Sequence, residues 1–167
     1  MGKTEQKLDK KDHNILKELC RDGRVSLATI AQRVDLSQEV VRYRIKRLHE
    51  KKVIRDFLAV LNPAEIGFTT LNEVLVSFHS LTPEAEEKIA RYLHSSQYIV
   101  NAKGLVGRYD YAITIAARDQ GHFSEILKRF RQAFGERIKD YEILGIISEP
   151  RRMDYTAVLE GARNVFI

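Results

Sequence analysis

The stretch from Ser26 to Glu50 reads SLATIAQRVDLSQEVVRYRIKRLHE, and its apolar spacing predicts two helices joined by a tight turn. Ser26 is placed to cap the first, Leu27 to Val34, whose Leu27, Ile30, Ala31 and Val34 share a face. Asp35-Leu36 makes the turn. Ser37 then caps a second helix running to about Lys51, with Val41, Ile45 and Leu48 as its apolar stripe. Upstream, Asp9 is a cap with Asp12 three residues on, and Ile15, Leu16, Leu19 and Cys20 recur at helical spacing until Asp22-Gly23. Three short helices sharing one small core are expected, with Cys20 as a buried thiol.

The face of the last helix opposite its stripe carries Gln38, Glu39, Arg42, Tyr43, Lys46 and Arg47, every one a hydrogen-bonding side chain. Gln and Arg present paired groups that match base edges in the major groove of duplex DNA, and a recognition helix sends its N-terminal residues there. Gln38, Glu39, Arg42 and Tyr43 are therefore expected to read bases. Arg44, Lys46 and Arg47 are expected at the phosphate backbone or in packing. Charge agrees with this reading: residues 1–58 hold 15 Lys and Arg against 9 Asp and Glu, whereas residues 59–167 hold 13 against 14. The basic excess thus sits where phosphate binding would need it.

Leu8-Asp9, Asp12, Ile15-Leu16, Leu19, Asp22-Gly23-Arg24, Ala31, Leu36-Ser37, Val41, Arg44-Ile45, Leu48 and Val53-Ile54, at these spacings, resemble the N-terminal domain of the Lrp/AsnC (feast/famine) transcription regulators. The resemblance covers about residues 8–148 and is densest in the first third. It implies a helix-turn-helix, winged-helix-like domain over residues 1–55 and a hinge strand and linker over residues 56–69. An oligomerising, effector-binding domain over residues 70–148 and a C-terminal extension, residues 149–167, complete the expected plan. One position departs from the family pattern. Lys52 stands where glycine usually ends the recognition helix, and a non-glycine residue costs about 1 kcal/mol if the left-handed backbone is kept.

Downstream, Val53 to Leu61 reads as an extended segment, punctuated by Asn62-Pro63 and Gly67. Periods of two and 3.6 then alternate. A strand bears Val74, Val76 and Phe78, and a helix opened by Thr82-Pro83 bears Ala85, Ile89, Tyr92 and Leu93. Strand-like runs follow at Tyr98 to Val106 and Tyr109 to Ala117, with Gly107-Arg108 between them as a tight hairpin turn. A helix capped by Asp119 and ended by Gly135 carries Phe123, Ile126, Leu127, Phe130 and Phe134, and a last strand spans Ile138 to Ser148. The order βαββαβ predicts a ferredoxin-like sandwich, so the fold class is α+β. Its open sheet face needs cover, which a second copy would give.

The hairpin segment also resembles the family's, and the resemblance implies an effector site at Gly107, Tyr109 and Asp110. An aspartate suits an α-amino group, and a hairpin turn without ligand is the alternative reading. The partners expected are duplex DNA, further copies of the chain as dimers, tetramers or octamers, and an amino-acid effector. No cofactor, metal or membrane is expected, and the location expected is the cytoplasm. The histidines His13, His49, His79, His94 and His122 are scattered singly, and neither a P-loop nor a G-x-S-x-G elbow occurs. Two rival classes stand beside this reading: a sensing subunit that binds no DNA, and a sirohaem decarboxylase-like enzyme, which shares the architecture and whose hairpin would carry histidine where this chain has Arg108-Tyr109-Asp110.

Overall fold

The computed structural model describes residues 8–148 and 155–161. They divide into two compact units, one formed by the residues through Ala59 together with a C-terminal helix, the other beginning at Val60.

In the first unit, α1 (Lys10–Arg21), α2 (Leu27–Val34) and α3 (Gln38–Glu50) pack around Ile15, Ile30, Ala31, Val34 and Val41. Each helix starts at the predicted cap. The Asp9, Ser26 and Ser37 side chains accept from the backbone N–H three residues on, and at α1 the Asp12 carboxylate returns the bond to the Asp9 N–H, closing a capping box. Asp35 ends α2 at φ 53°, and Lys11 Nζ donates to the Val34 and Asp35 carbonyls at 2.6 and 3.2 Å, so the turn is tied to α1. Cys20, expected inside, is exposed. It lies five residues beyond Ile15, about 140° around the helix from the residue that defines the core-facing side.

The end of α3 forms a Schellman motif: the Val53 N–H reaches the Leu48 carbonyl at 2.9 Å and the Lys52 N–H reaches the His49 carbonyl at 2.9 Å. Lys52 sits at its left-handed position with φ 60°. The strain foreseen for a non-glycine residue is therefore present. Lys52→Gly is expected to stabilise this unit by about 0.5–1 kcal/mol, since relief of the left-handed penalty exceeds the entropy glycine adds to the unfolded chain. Urea unfolding followed by circular dichroism measures it, and a destabilised variant would refute the strain. Beyond the motif, residues 55–63 form no strand, and Phe57, Leu58, Val60 and Leu61 are exposed. An extended segment alone has nothing with which to pair. Asn62 Oδ1 then accepts from the Ala64 N–H, and a 3-10 turn, Ala64–Ile66, closes at Gly67 with φ 85°.

The second unit builds β1 (Thr70–Phe78), α4 (Pro83–Ser95), β2 (Ile99–Gly104), β3 (Tyr111–Ala117), α5 (Gln120–Phe134) and β4 (Ile138–Gly145). The strands lie in the antiparallel order β2-β3-β1-β4. Both helices cover one face, where Val74, Val76, Phe78, Ile113 and Ile115 meet Ile89, Leu93, Phe123, Ile126, Phe130 and Phe134. This is the ferredoxin-like arrangement. Two boundaries differ from the sequence reading. The last strand stops at Gly145, and the connection between β2 and β3 is a six-residue loop, Leu105 to Asp110, instead of a two-residue turn. Asp110, just before β3, bonds toward both neighbours of that strand: its N–H donates to the Val76 carbonyl and its carboxylate accepts from the Phe78 N–H, while its carbonyl accepts from the Leu105 N–H at 2.8 Å across the hairpin.

In the C-terminal extension, α6 (Thr156–Gly161) packs against α1, within the first unit. The first residues of the extension, 149–154, lie outside the described residues.

Candidate nucleic-acid interface

The structure sorts the seven residues assigned to DNA into two groups. Gln38, Glu39, Arg42, Tyr43 and Lys46 are exposed, Tyr43 at 64%. Spaced at three and four residues, they share one side of α3, opposite the buried Val41 and Leu48. Lys46 lies 3.8 Å from Glu50, a surface pair that holds it only weakly. The side chains of Gln38, Glu39, Arg42 and Tyr43 have no hydrogen-bond or ion-pair partner among the described residues. Their donors and acceptors are thus available to base edges.

Arg44 and Arg47 turn the other way. Arg44 Nη1 donates to Asp12 Oδ1 at 2.8 Å and to Asp9 Oδ2 at 2.6 Å, and Arg47 Nη2 donates to Asp12 Oδ2 at 2.6 Å. Asp12 is only 1% exposed. One buried carboxylate at the N-terminus of α1 therefore fixes the middle of α3, and the helix dipole of α1 supports the negative charge there. A second link joins α1 to α2, with Glu18 accepting from Arg33 and from Arg21. Sequence reading assigned Asp9 and Asp12 to capping alone. The missed signal is that Arg44 and Arg47 lie one turn apart and border the apolar stripe, where a buried anion must meet them.

Burial works to raise the Asp9 carboxyl, but the Arg44 hydrogen bond and the Asp12 backbone N–H outweigh it and hold the group below its ordinary range. A carboxyl depressed in the folded state contributes stability that is complete above its unfolded pKa and is lost as pH falls through the folded value. The helical unit is accordingly expected to weaken only in acid, below about pH 4. Thermal melts against pH should show this limb, and it should shrink in Asp9→Ala.

The residues assigned to an effector lie in the Leu105 to Asp110 loop. Gly107 has φ 153°, a value side-chain-bearing residues rarely adopt. Tyr109 Oη donates to Glu142 at 2.9 Å and Arg108 pairs with Asp140 at 3.2 Å, so β4 holds the loop through two acidic residues that the sequence did not flag. The Glu142 bond pushes the Tyr109 hydroxyl above its ordinary range. Asp110 Oδ2 is occupied by the Phe78 N–H at 2.7 Å. Asp110→Ala is expected to cost about 1–2 kcal/mol in unfolding free energy with no effector present, because a buried backbone donor loses its charged acceptor. An unchanged denaturation midpoint would show that the bond contributes nothing.

Residues 8–49 match the AsnC-type helix-turn-helix domain. The HTH-type transcriptional regulator FL11 of Pyrococcus furiosus is 31% identical over 121 residues, covering 72% of this chain and 78% of that protein. The chain belongs to the Lrp/AsnC family of transcriptional regulators. A second relative in the family, the proline dehydrogenase transcriptional activator of Rhizobium radiobacter, is 28% identical over 131 residues, 78% of this chain and 80% of its own. The fold agrees with a transcriptional regulator of Neisseria meningitidis solved in complex with L-Met, at a TM-score of 0.77 and 22% identity over 90% of this chain and 99% of that one. The family match, residues 8–49, takes in the links from Asp12 to Arg44 and Arg47 and from Glu18 to Arg33.

Proposed function

We infer that this chain is a cytoplasmic, sequence-specific DNA-binding regulator that works as a dimer or a larger assembly of copies. The observation that carries the reading is the exposed, unpartnered row Gln38, Glu39, Arg42 and Tyr43 on a helix that Arg44 and Arg47 anchor from behind. A rigid helix that presents free paired donors and acceptors is what base readout needs. In this reading residues 1–55 bind DNA, residues 56–69 pair with a second copy, residues 70–148 assemble and sense, and residues 149–167 are an appended extension. Lys46 contacts phosphate, whereas Arg44 and Arg47 act by fixing α3. Gly107, Tyr109 and Asp110 line the effector site, with an amino acid as the ligand class. The L-Met complex of the structural neighbour supports that class. No catalytic step is assigned.

The test is a fluorescence anisotropy titration of the protein onto its own upstream DNA and a scrambled duplex, over a range of salt, with and without an amino-acid mixture. Tight binding to the upstream duplex alone, weakening as salt rises, is expected. Equal binding to both duplexes would overturn sequence-specific readout, and an absence of binding at low salt would favour the sensing-subunit class.

A further inference from the structure

The near-neutral charge of the second unit hides a segregation. Residues 128–139 hold five basic side chains, Lys128, Arg129, Arg131, Arg137 and Lys139, against one acidic, Glu136, while the rest of residues 59–167 holds 8 basic against 13 acidic. The fold concentrates these charges further. Lys128, Arg131 and Gln132 stand at i, i+3 and i+4 on one side of α5, and with Lys139 and Tyr141 of β4 they line a single open groove. All five are exposed. The Arg131 guanidinium lies 5.7 Å from the centre of the Tyr141 ring.

No carboxylate of the described residues forms an ion pair with Lys128, Arg129, Arg131, Arg137 or Lys139. Asp140 also lines the groove, and its carboxylate is taken by Arg108 at 3.2 Å. A row of cations without internal counter-charges repels itself and is relieved by an external polyanion. Neighbouring positions one helical turn apart, about 5–6 Å between Cβ atoms, suit consecutive charges along a polyanion better than a single small anion. DNA is the polyanion already assigned to this protein. Once α3 is seated, a second basic surface in the same assembly meets flanking phosphates at a high effective concentration.

We propose that the α5/β4 groove is a second DNA-contact surface, which binds the phosphate backbone of duplex flanking the recognised site through Lys128, Arg131 and Lys139. The proposal rests on the DNA-binding reading above, and the two fail differently. The experiment compares the wild-type protein with Lys128→Glu/Arg131→Glu/Lys139→Glu and with the milder Lys128→Gln/Arg131→Gln/Lys139→Gln. Affinity is measured by anisotropy over a salt series on two duplexes, one just spanning the recognised site and one extended by several helical turns on both sides. Sedimentation velocity reports the assembly, and circular dichroism the fold.

The wild type is expected to favour the extended duplex. Both variants should keep their affinity for the short duplex within about twofold, and charge reversal should lose about tenfold or more on the extended one. The salt slope there should fall by about 2 to 3, at roughly 0.9 per phosphate contact. Equal salt slopes for variant and wild type on the extended duplex, or no wild-type preference for it, would overturn the proposal. A parallel loss on both duplexes with an altered sedimentation coefficient would also overturn it, by making the groove a contact between copies, for instance with the acidic Glu84, Glu86 and Glu87 of α4. Failure of the wild type to bind either duplex would instead sink the DNA-binding reading, and the second surface with it.

Discussion

Asp12→Ala should destabilise the helical unit by about 3–5 kcal/mol, because removing one partner of a buried ion cluster leaves the others uncompensated. Both Asp12 oxygens are engaged by guanidinium groups, and Oδ2 also accepts from the Asp9 N–H at 3.3 Å. After truncation, Arg47 would keep none of its ion-pair contacts, and Arg44 only the half-exposed Asp9. Such a loss consumes a large part of the roughly 5–15 kcal/mol that stabilises an ordinary domain. Loss of helical circular dichroism at lower urea would report it, a suitable probe in a chain without tryptophan. Asp12→Asn, which keeps one acceptor and the shape, should fall between the two. By contrast, Asp12→Leu/Arg44→Met/Arg47→Leu should come within about 1 kcal/mol of wild type, since replacing a whole buried ion cluster by apolar groups is often neutral. If Asp12→Ala cost less than about 1 kcal/mol, water would be screening the cluster and the anchoring of α3 would need another source.

Much of the fold was legible because local signals and global packing agree. Ser26, Ser37, Thr82 and Asp119 each bond the backbone N–H three residues on, as their positions before apolar-periodic runs require. Lys52 was readable as a strained position only because a family pattern marked it, and its φ of 60° bears that out. Contacts far apart in sequence were not legible. Asp110 reads as a turn residue by composition, yet its carboxylate bonds the Phe78 N–H, 32 residues away, and ties the loop to β1. Cys20 reads as apolar spacing, but periodicity assigns a side of a helix only to within a residue or so. The basic groove on α5 was averaged away by summing charge over the whole second unit.

The DNA reading is most exposed at the N-terminal end of α3, where Gln38→Ala/Arg42→Ala should weaken binding to the recognised site by about 2–5 kcal/mol, roughly 30-fold to several thousandfold, if each side chain makes a bidentate base contact. Both lie on the free side of the helix and contribute nothing to its core. Stability should therefore stay within about 0.5 kcal/mol of wild type, as for other surface substitutions. Affinity for scrambled DNA should change little. Lys46→Ala provides the contrast: a lost phosphate contact should weaken all sequences alike and reduce the salt slope by about 1. Selection of bound sequences from a randomised pool separates the two effects. Relaxed preference at the positions read by Gln38 and Arg42, with the rest of the site intact, is the expected result. A preserved site preference in the double variant would move readout elsewhere on the helix, leaving Glu39 and Tyr43 as the candidates still facing outward.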